Sequence, residues 1–151
     1  MIDKCPCGSK KIFSMCCEPY LNGDKNAEMP EYLMRSRYTA YSLSHIDYIS
    51  KTMRKKAAVD FDANAAQQWA TSVTWLGLTV IDTSTHSKNT ETVTFFARFS
   101  DHGVKKFIFE KSNFEKIGSQ WFYVGGITPK INKNEDCPCG SRKKFKRCCS
   151  E

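Results

Sequence analysis

One thirteen-residue pattern, C-x-C-x8-C-C, occurs twice in this chain of 151 residues: CPCGSKKIFSMCC at 5–17 and CPCGSRKKFKRCC at 137–149. All eight cysteines lie inside these two copies. Aligned without gaps, the copies also share Pro6 with Pro138, Gly8 with Gly140, Ser9 with Ser141, Lys11 with Lys143, and Phe13 with Phe145. A unit this short cannot bury a hydrophobic core, so something else must hold each copy together.

Four thiolates suit a tetrahedral ion. Zinc–sulfur bonds of about 2.3 Å place four sulfurs roughly 3.8 Å apart. A C-x-C pair around a proline aims two thiolates at one point. The following Gly-Ser permits a turn and offers Ser9 or Ser141 as a helix N-cap. About two helical turns would then bring the adjacent cysteine pair back to the same point. Four cysteines leave no open coordination position, which marks structural rather than catalytic zinc, two ions per chain. Apparent zinc affinities of ~10–16 kcal/mol are ample to fold such a unit. Disulfide or redox chemistry and an iron–sulfur or other metal centre are the competing readings. A Cys16–Cys17 or Cys148–Cys149 bond would form only as a strained vicinal ring.

No stretch approaches the ~20 apolar residues of a membrane span, so no membrane insertion is expected. The start, MIDKCPCGSK, has no apolar signal core. The expected location is therefore cytoplasmic, where thiols stay reduced unless a metal or a reaction occupies them. The formal charge of +7 overstates the basic character. Two zinc–tetrathiolate sites would lower it to about +3. Residues 130–151 keep a local excess, with seven Lys/Arg against three Asp/Glu.

Between the modules the pattern runs helices first, then strands. Asn22-Gly23 and Pro30 mark a connector. Over 31–53, Met34, Tyr38, Tyr41, His45, Ile49 and Met53 recur at steps of three and four, predicting one helix with an apolar side. A shorter helix is predicted over 60–71, with Asp60 or Asp62 as N-cap. From residue 72, SVTWLGLTVIDTS, ETVTFFARFS, VKKFIFEKSNFEKI and QWFYVGGIT read as four antiparallel strands. STHSKNTE, DHG and GSQ are their hairpin connections. The expected fold class is α+β, with helices packed on a curved antiparallel sheet (a cystatin-like cone) and flanked by two small zinc knuckles. The expected division is 1–20 for the first zinc module, 28–130 for the α+β domain and 134–151 for the second module.

CPCGSRKKFKRCC resembles the SEC-C motif, a zinc-binding unit also found at the tail of the bacterial translocation ATPase SecA. That resemblance implies Cys5, Cys7, Cys16 and Cys17, and likewise Cys137, Cys139, Cys148 and Cys149, as the metal ligands. The family's fourth ligand is often His, whereas both copies here have Cys. The whole order, CPCGS…CC…PEYLMRSRYTAY…WLGLTV…VTFFARF…QWFYVGG…CPCGS…CC, resembles the YchJ-like bacterial family. Its centre is similar to the nuclear transport factor 2-like cone.

Cone folds host enzymes and mere binders alike, so the fold does not choose between them. The titratable and aromatic candidates are His45, Asp47, Tyr48, Trp75, Arg98, His102 and Glu110. Each has a structural explanation: His45 as a core histidine, His102 as a solvated turn residue, Arg98 and Glu110 as a cross-strand ion pair. Arg35 and Arg37 in MRSRY read as a polar helix edge. With no phosphate loop, nucleophile elbow or His pair, no catalytic residue is assigned.

The expected function is that of a zinc-binding interaction protein docking a protein partner, translocation- or ribosome-associated, through its basic C-terminal module. The alternative is a small-molecule-binding or enzymatic cone domain with an isomerase- or dehydratase-like pocket. Single-stranded RNA, met by Lys143, Lys144, Lys146 and Arg147 beside Phe145, ranks below both. Homodimerisation is expected to use an outer sheet face exposing Phe96 or Phe107.

Overall fold

The computed structural model describes residues 3–150. A 3-10 turn at Phe13–Met15 and the short helix α1 (Glu18–Leu21) close the first module. Helices α2 (Pro30–Ser42), α3 (Ile46–Lys51), α4 (Lys55–Val59) and α5 (Ala63–Ser72) follow. Then come β1 (Val73–Ser87), β2 (Thr90–Asp101), β3 (Val104–Ile117) and β4 (Gln120–Ile127), with a second 3-10 turn at Phe145–Arg147. The strands form one antiparallel sheet in the order β1-β2-β3-β4. The architecture is α+β, with helices against one side of an antiparallel sheet.

The single helix expected over 31–53 is broken in two. Pro30 opens α2 in the first turn, where its missing N–H costs nothing. The helix stops after Ser42: Ser44 takes a positive φ of 59°, and the His45 N–H reaches back to the Ala40 carbonyl at 2.7 Å. No Gly or Pro announces this break. It swings His45 out of the apolar stripe into solvent, while Ile49 and Met53 return to the core on α3 and the segment after it. Helix α5 starts as predicted, with the Asp62 carboxylate accepting from the Ala65 N–H at 3.1 Å.

Alternation along β2 sorts the two faces. Val93, Phe95 and Ala97 pack toward the helices with Leu33, Met34, Tyr38 and Ile49. Phe96 points the other way and is 1% exposed, packed with Cys137 and Phe145 of the second module. The outer face expected to expose Phe96 or Phe107 is thus covered by the chain's own C-terminal module. The register pairs Phe95 with Glu110 and Arg98 with Phe107, which places Arg98 and Glu110 on opposite faces. The ion pair expected between them does not form. At the β4 edge, the Tyr123 N–H donates to the Thr52 carbonyl at 2.9 Å and the Arg54 N–H to the Tyr123 carbonyl at 3.1 Å. The segment after α3 therefore shields that edge from further strand pairing.

Candidate metal centres and a candidate ligand cavity

The two cysteine modules are the same small structure built twice. In each, the first cysteine N–H donates to a carbonyl six residues on, Cys5 to Lys11 and Cys137 to Lys143, both at 2.8 Å. Gly8 and Gly140 share φ values of 80° and 85°, a conformation that glycine adopts without strain. Lys10 and Arg142 share φ values of 69° and 71°. One 3-10 turn, rather than the two helical turns expected, then carries the adjacent cysteines back. Ser9 and Ser141 do not cap a helix. Each hydroxyl accepts the N–H two residues on at 3.2 Å and lies 3.2 Å from the third cysteine sulfur.

This geometry gathers Cys5, Cys7, Cys16 and Cys17 into one cluster and Cys137, Cys139, Cys148 and Cys149 into another, all sulfurs of a cluster lying within 4.8 Å of one another. Cys7 and Cys16 are 3.6 Å apart and Cys16 and Cys17 3.9 Å; Cys139–Cys148 and Cys148–Cys149 are 3.5 and 3.8 Å. No disulfide joins them. These spacings match the edge of a zinc tetrathiolate tetrahedron, roughly 3.8 Å. In the first cluster, hydrogen bonds from Cys17 and Cys5 pull the Cys7 thiol far down, while bonds to Cys5 and Cys7 push Cys17 far up. Four thiolates this close would repel one another, so a fully ionised cluster calls for a cation between them.

The modules sit differently on the domain. The first is built into the core: Cys7 and Cys17 are buried with Leu33 and Met34, and Cys5 lies 3.7 Å from the Thr39 hydroxyl. A Cβ on Gly8 would meet the Leu78 carbonyl at 3.0 Å, so glycine is what lets this module close on β1. The second rests on the outer sheet face, with Phe145 edge-to-face on Phe107 at 5.6 Å and Thr79 donating to the Cys139 carbonyl at 3.1 Å. Their solvent faces differ as well. Ile12 and Met15 are exposed in the first, where the second exposes Lys144 and Arg147.

Between the helices and the inner sheet face lies a cavity of about 450 Å³. Its walls are mainly aromatic, with Tyr41, Trp69, Trp75, Phe95 and Phe114 among them. Trp69 packs edge-to-face on Trp75 and on Phe99, at 5.1 and 5.4 Å, an arrangement that fixes this wall. Four charged residues line the cavity: Lys56 and Asp60 at its exposed rim, and, from opposite layers, Arg37 of α2 and Glu110 of β3. Glu110 Oε1 accepts from the Ser112 hydroxyl at 2.6 Å and the Tyr123 hydroxyl at 2.7 Å. Burial, then the nearby Glu110 charge, pushes Tyr123 far above the ordinary phenol value, so it remains a donor. Gly126 makes room for this carboxylate, since a Cβ there would lie 2.6 Å from Glu110 Oε1.

Arg37 is 7% exposed. Its Nη1 donates to the Ile49 carbonyl at 2.9 Å and the Thr52 hydroxyl at 2.7 Å, and its guanidinium lies 4.7 Å from the Tyr123 ring centre. Burial disfavours its charge, an effect partly offset by the nearby Glu110 carboxylate. Of the residues singled out from the sequence, Trp75 and Glu110 line this cavity. Tyr48 is buried, with its hydroxyl 2.6 Å from that of Ser36. His45, Asp47 and His102 are exposed, and Arg98 faces away. Sequence reasoning misses Arg37, which reads as a helix edge. Its signal is present all the same, because positions 34, 37, 38 and 41 form one helical stripe with arginine in its middle.

Fold and site together define a helix-on-sheet domain carrying two four-cysteine modules. Residues 29–126 match the family model for the YchJ middle NTF2-like domain, and residues 134–151 match that for the SEC-C motif. A UPF0225 protein of Enterobacter sp. (strain 638) is 43% identical over 153 residues, spanning 100% of both chains. The chain belongs to this YchJ-like UPF0225 family. The solution structure of RPA3114, a SEC-C motif-containing protein from Rhodopseudomonas palustris, superposes with a TM-score of 0.77 at 35% identity, covering 84% of this chain and 99% of that one. The crystal structure of a SEC-C motif-containing protein from Psychrobacter arcticus gives 0.74 at 31%, covering 99% and 96%. Among the described residues, no helix is long and apolar enough to cross a membrane.

Proposed function

We propose that this protein binds a small molecule in its central cavity, and that each cysteine cluster holds a structural zinc ion that fixes the surrounding chain. The observation that carries the reading is the placement of Arg37 and Glu110 inside a largely aromatic cavity of about 450 Å³. That volume lies within the ~300–1,000 Å³ of small-molecule sites, and apolar walls with a few converging polar groups are their usual make-up. A nuclear transport factor 2-like cone, with its sheet cupped around the helices, accounts for why the space stays open.

Trp69 and Trp75 line the cavity and Trp121 does not, so their indole N–H signals form an internal reporter. A fragment screen by NMR should yield ligands that shift the Trp69 and Trp75 signals and leave Trp121 in place. If no fragment moves them at millimolar concentration, the cavity is not a binding site. Metal analysis of freshly purified protein should find two zinc ions per chain; well under one would remove the zinc assignment.

A second reading has an observation of its own. Arg142, Lys143, Lys144, Lys146 and Arg147 are all on the solvent side of the second module, while Phe145 is buried against the sheet. A basic surface without a free aromatic suits an acidic protein partner, translocation- or ribosome-associated, better than single-stranded RNA, which needs a ring to stack on. Lys143→Glu with Lys146→Glu should then abolish partner capture while zinc content and melting temperature hold.

A further inference from the structure

We infer that the cavity's ligand is a small monocarboxylic acid with a flat apolar body and a hydrogen-bond donor at its far end. Its carboxylate would sit on the free edge of Arg37 and its donor on Glu110. This rests on the cavity being a binding site, as proposed above.

Arg37 is the starting point. A guanidinium has five N–H donors, and the two hydrogen bonds it makes both come from Nη1. Among the described residues, Nε and Nη2 have no acceptor and no carboxylate pairs with Arg37. Yet no buried side-chain nitrogen or oxygen among those residues is both enclosed and unbonded. Both nitrogens therefore keep accessible surface, and the space that Arg37 lines is this cavity. That edge presents two parallel N–H groups, the fork that fits a carboxylate with two hydrogen bonds. Glu110 offsets the cost of this buried charge only in part, and a ligand anion hydrogen-bonded to the guanidinium would relieve more of it.

Glu110 narrows the class. Its Oε1 is already taken by Ser112 and Tyr123, and Oε2 has no partner among the described residues. It is placed to accept from a ligand hydroxyl or N–H. Its negative charge works against a phosphate or dicarboxylate, for which the interior offers no second cation among the described residues; Lys56 lies at the exposed rim. Arg37 works equally against an amine. The aromatic walls between the two groups favour a flat, apolar middle.

The test uses the intact wild-type protein with three probes of one shape: p-hydroxyphenylacetate, its primary amide, and tyramine. The acid should shift the Trp69 and Trp75 indole signals and bind at least tenfold more tightly than the amide or the amine. A tenfold gap corresponds to about 1.4 kcal/mol. Removing the hydroxyl, as in phenylacetate, should weaken binding several-fold, and Glu110→Gln should shrink that difference while leaving the preference for acid over amide. Arg37→Gln should erase the acid preference. Because Arg37 also holds α3, the wild-type comparison of acid with amide serves as the test if that variant does not fold. Equal binding of acid and amide, or tighter binding of tyramine, would overturn the ligand class while leaving the cavity a binding site. No indole shift with any of these probes overturns this inference, and silence across the fragment screen as well removes the binding site itself.

Discussion

Arg35 donates from Nη1 to the Cys7 carbonyl at 2.7 Å, so α2 grips the first cysteine cluster with one arginine and reaches the cavity with the next, Arg37, two residues on. The spacing of two residues on a helix turns the side chains roughly 200° apart, toward opposite sides. One helix thus carries the wall of the cavity on one side and the clamp of a cysteine cluster on the other.

Removing that clamp should be felt at one cluster only. Arg35→Ala is expected to cost about 1–3 kcal/mol of stability, since it leaves a carbonyl without its charged donor. Under a chelator, one of the two metal equivalents should leave faster than in wild type and the other at an unchanged rate. Two unchanged rates would show that the Arg35 hydrogen bond does not support the cluster.

Gly126→Ala should move Glu110 rather than the backbone, because the new methyl would press on the carboxylate end of a flexible side chain. The Ser112 and Tyr123 hydroxyls would be deprived of their shared acceptor, at an expected cost of about 1–2 kcal/mol. A structure of the variant should show the carboxylate displaced, and any cavity ligand that needs Glu110 should bind several-fold more weakly. A Glu110 left in place would mean that β4 yields instead.

Phe145→Ala should undock the second module without unfolding the central domain. Truncating a buried phenylalanine costs about 3–5 kcal/mol, and here the missing ring is the one that packs edge-to-face on Phe107 of the sheet. Hydrogen exchange should rise over 130–150 and over the middle of β2, and protease should trim the C-terminal segment first. Uniformly faster exchange throughout the chain would mean that the module is part of a single cooperative unit.

Alkaline pH should destabilise the fold steeply. Burial pushes Tyr38 and Tyr48 each up to about 12 and raises Tyr20, Tyr41 and Tyr123 as well. A folded-state pKa above the unfolded value of about 10 gives stability that is full below pH 10 and declines as pH climbs toward the folded value. Melting temperature should therefore fall from pH 10 to about 12, and tyrosinate absorbance should appear together with unfolding. Smooth titration of all tyrosines in the intact fold would contradict this.

Much of the molecule is legible in its residues. The cysteine spacing marks both clusters, strand alternation puts Glu110 on one face with Ile108 and Ser112, and Asp62 marks the start of α5. What escapes is what depends on three-dimensional register. Arg98 and Glu110 look like partners until pairing places them on opposite faces. Ser44 ends a helix through a positive φ that its identity does not advertise. Arg37 is easily judged by its charge rather than by its neighbours, although Met34, Tyr38 and Tyr41 place it on a buried stripe. The docking of Phe145 on Phe107 joins residues far apart in the chain and leaves no local trace.

That docking has a consequence for how the protein survives in a crowded solution. Phe96, Phe107 and Phe109 form an aromatic patch on the outside of a β-sheet, with Phe96 and Phe107 stacked at 4.8 Å, and a small module buries Phe96 and half-covers the other two. A bare patch of that kind is where separate molecules begin to stick. If one metal ion holds the cover in shape, its loss would register first as precipitation of a still-folded domain, and solubility would report on metal supply before any other property did.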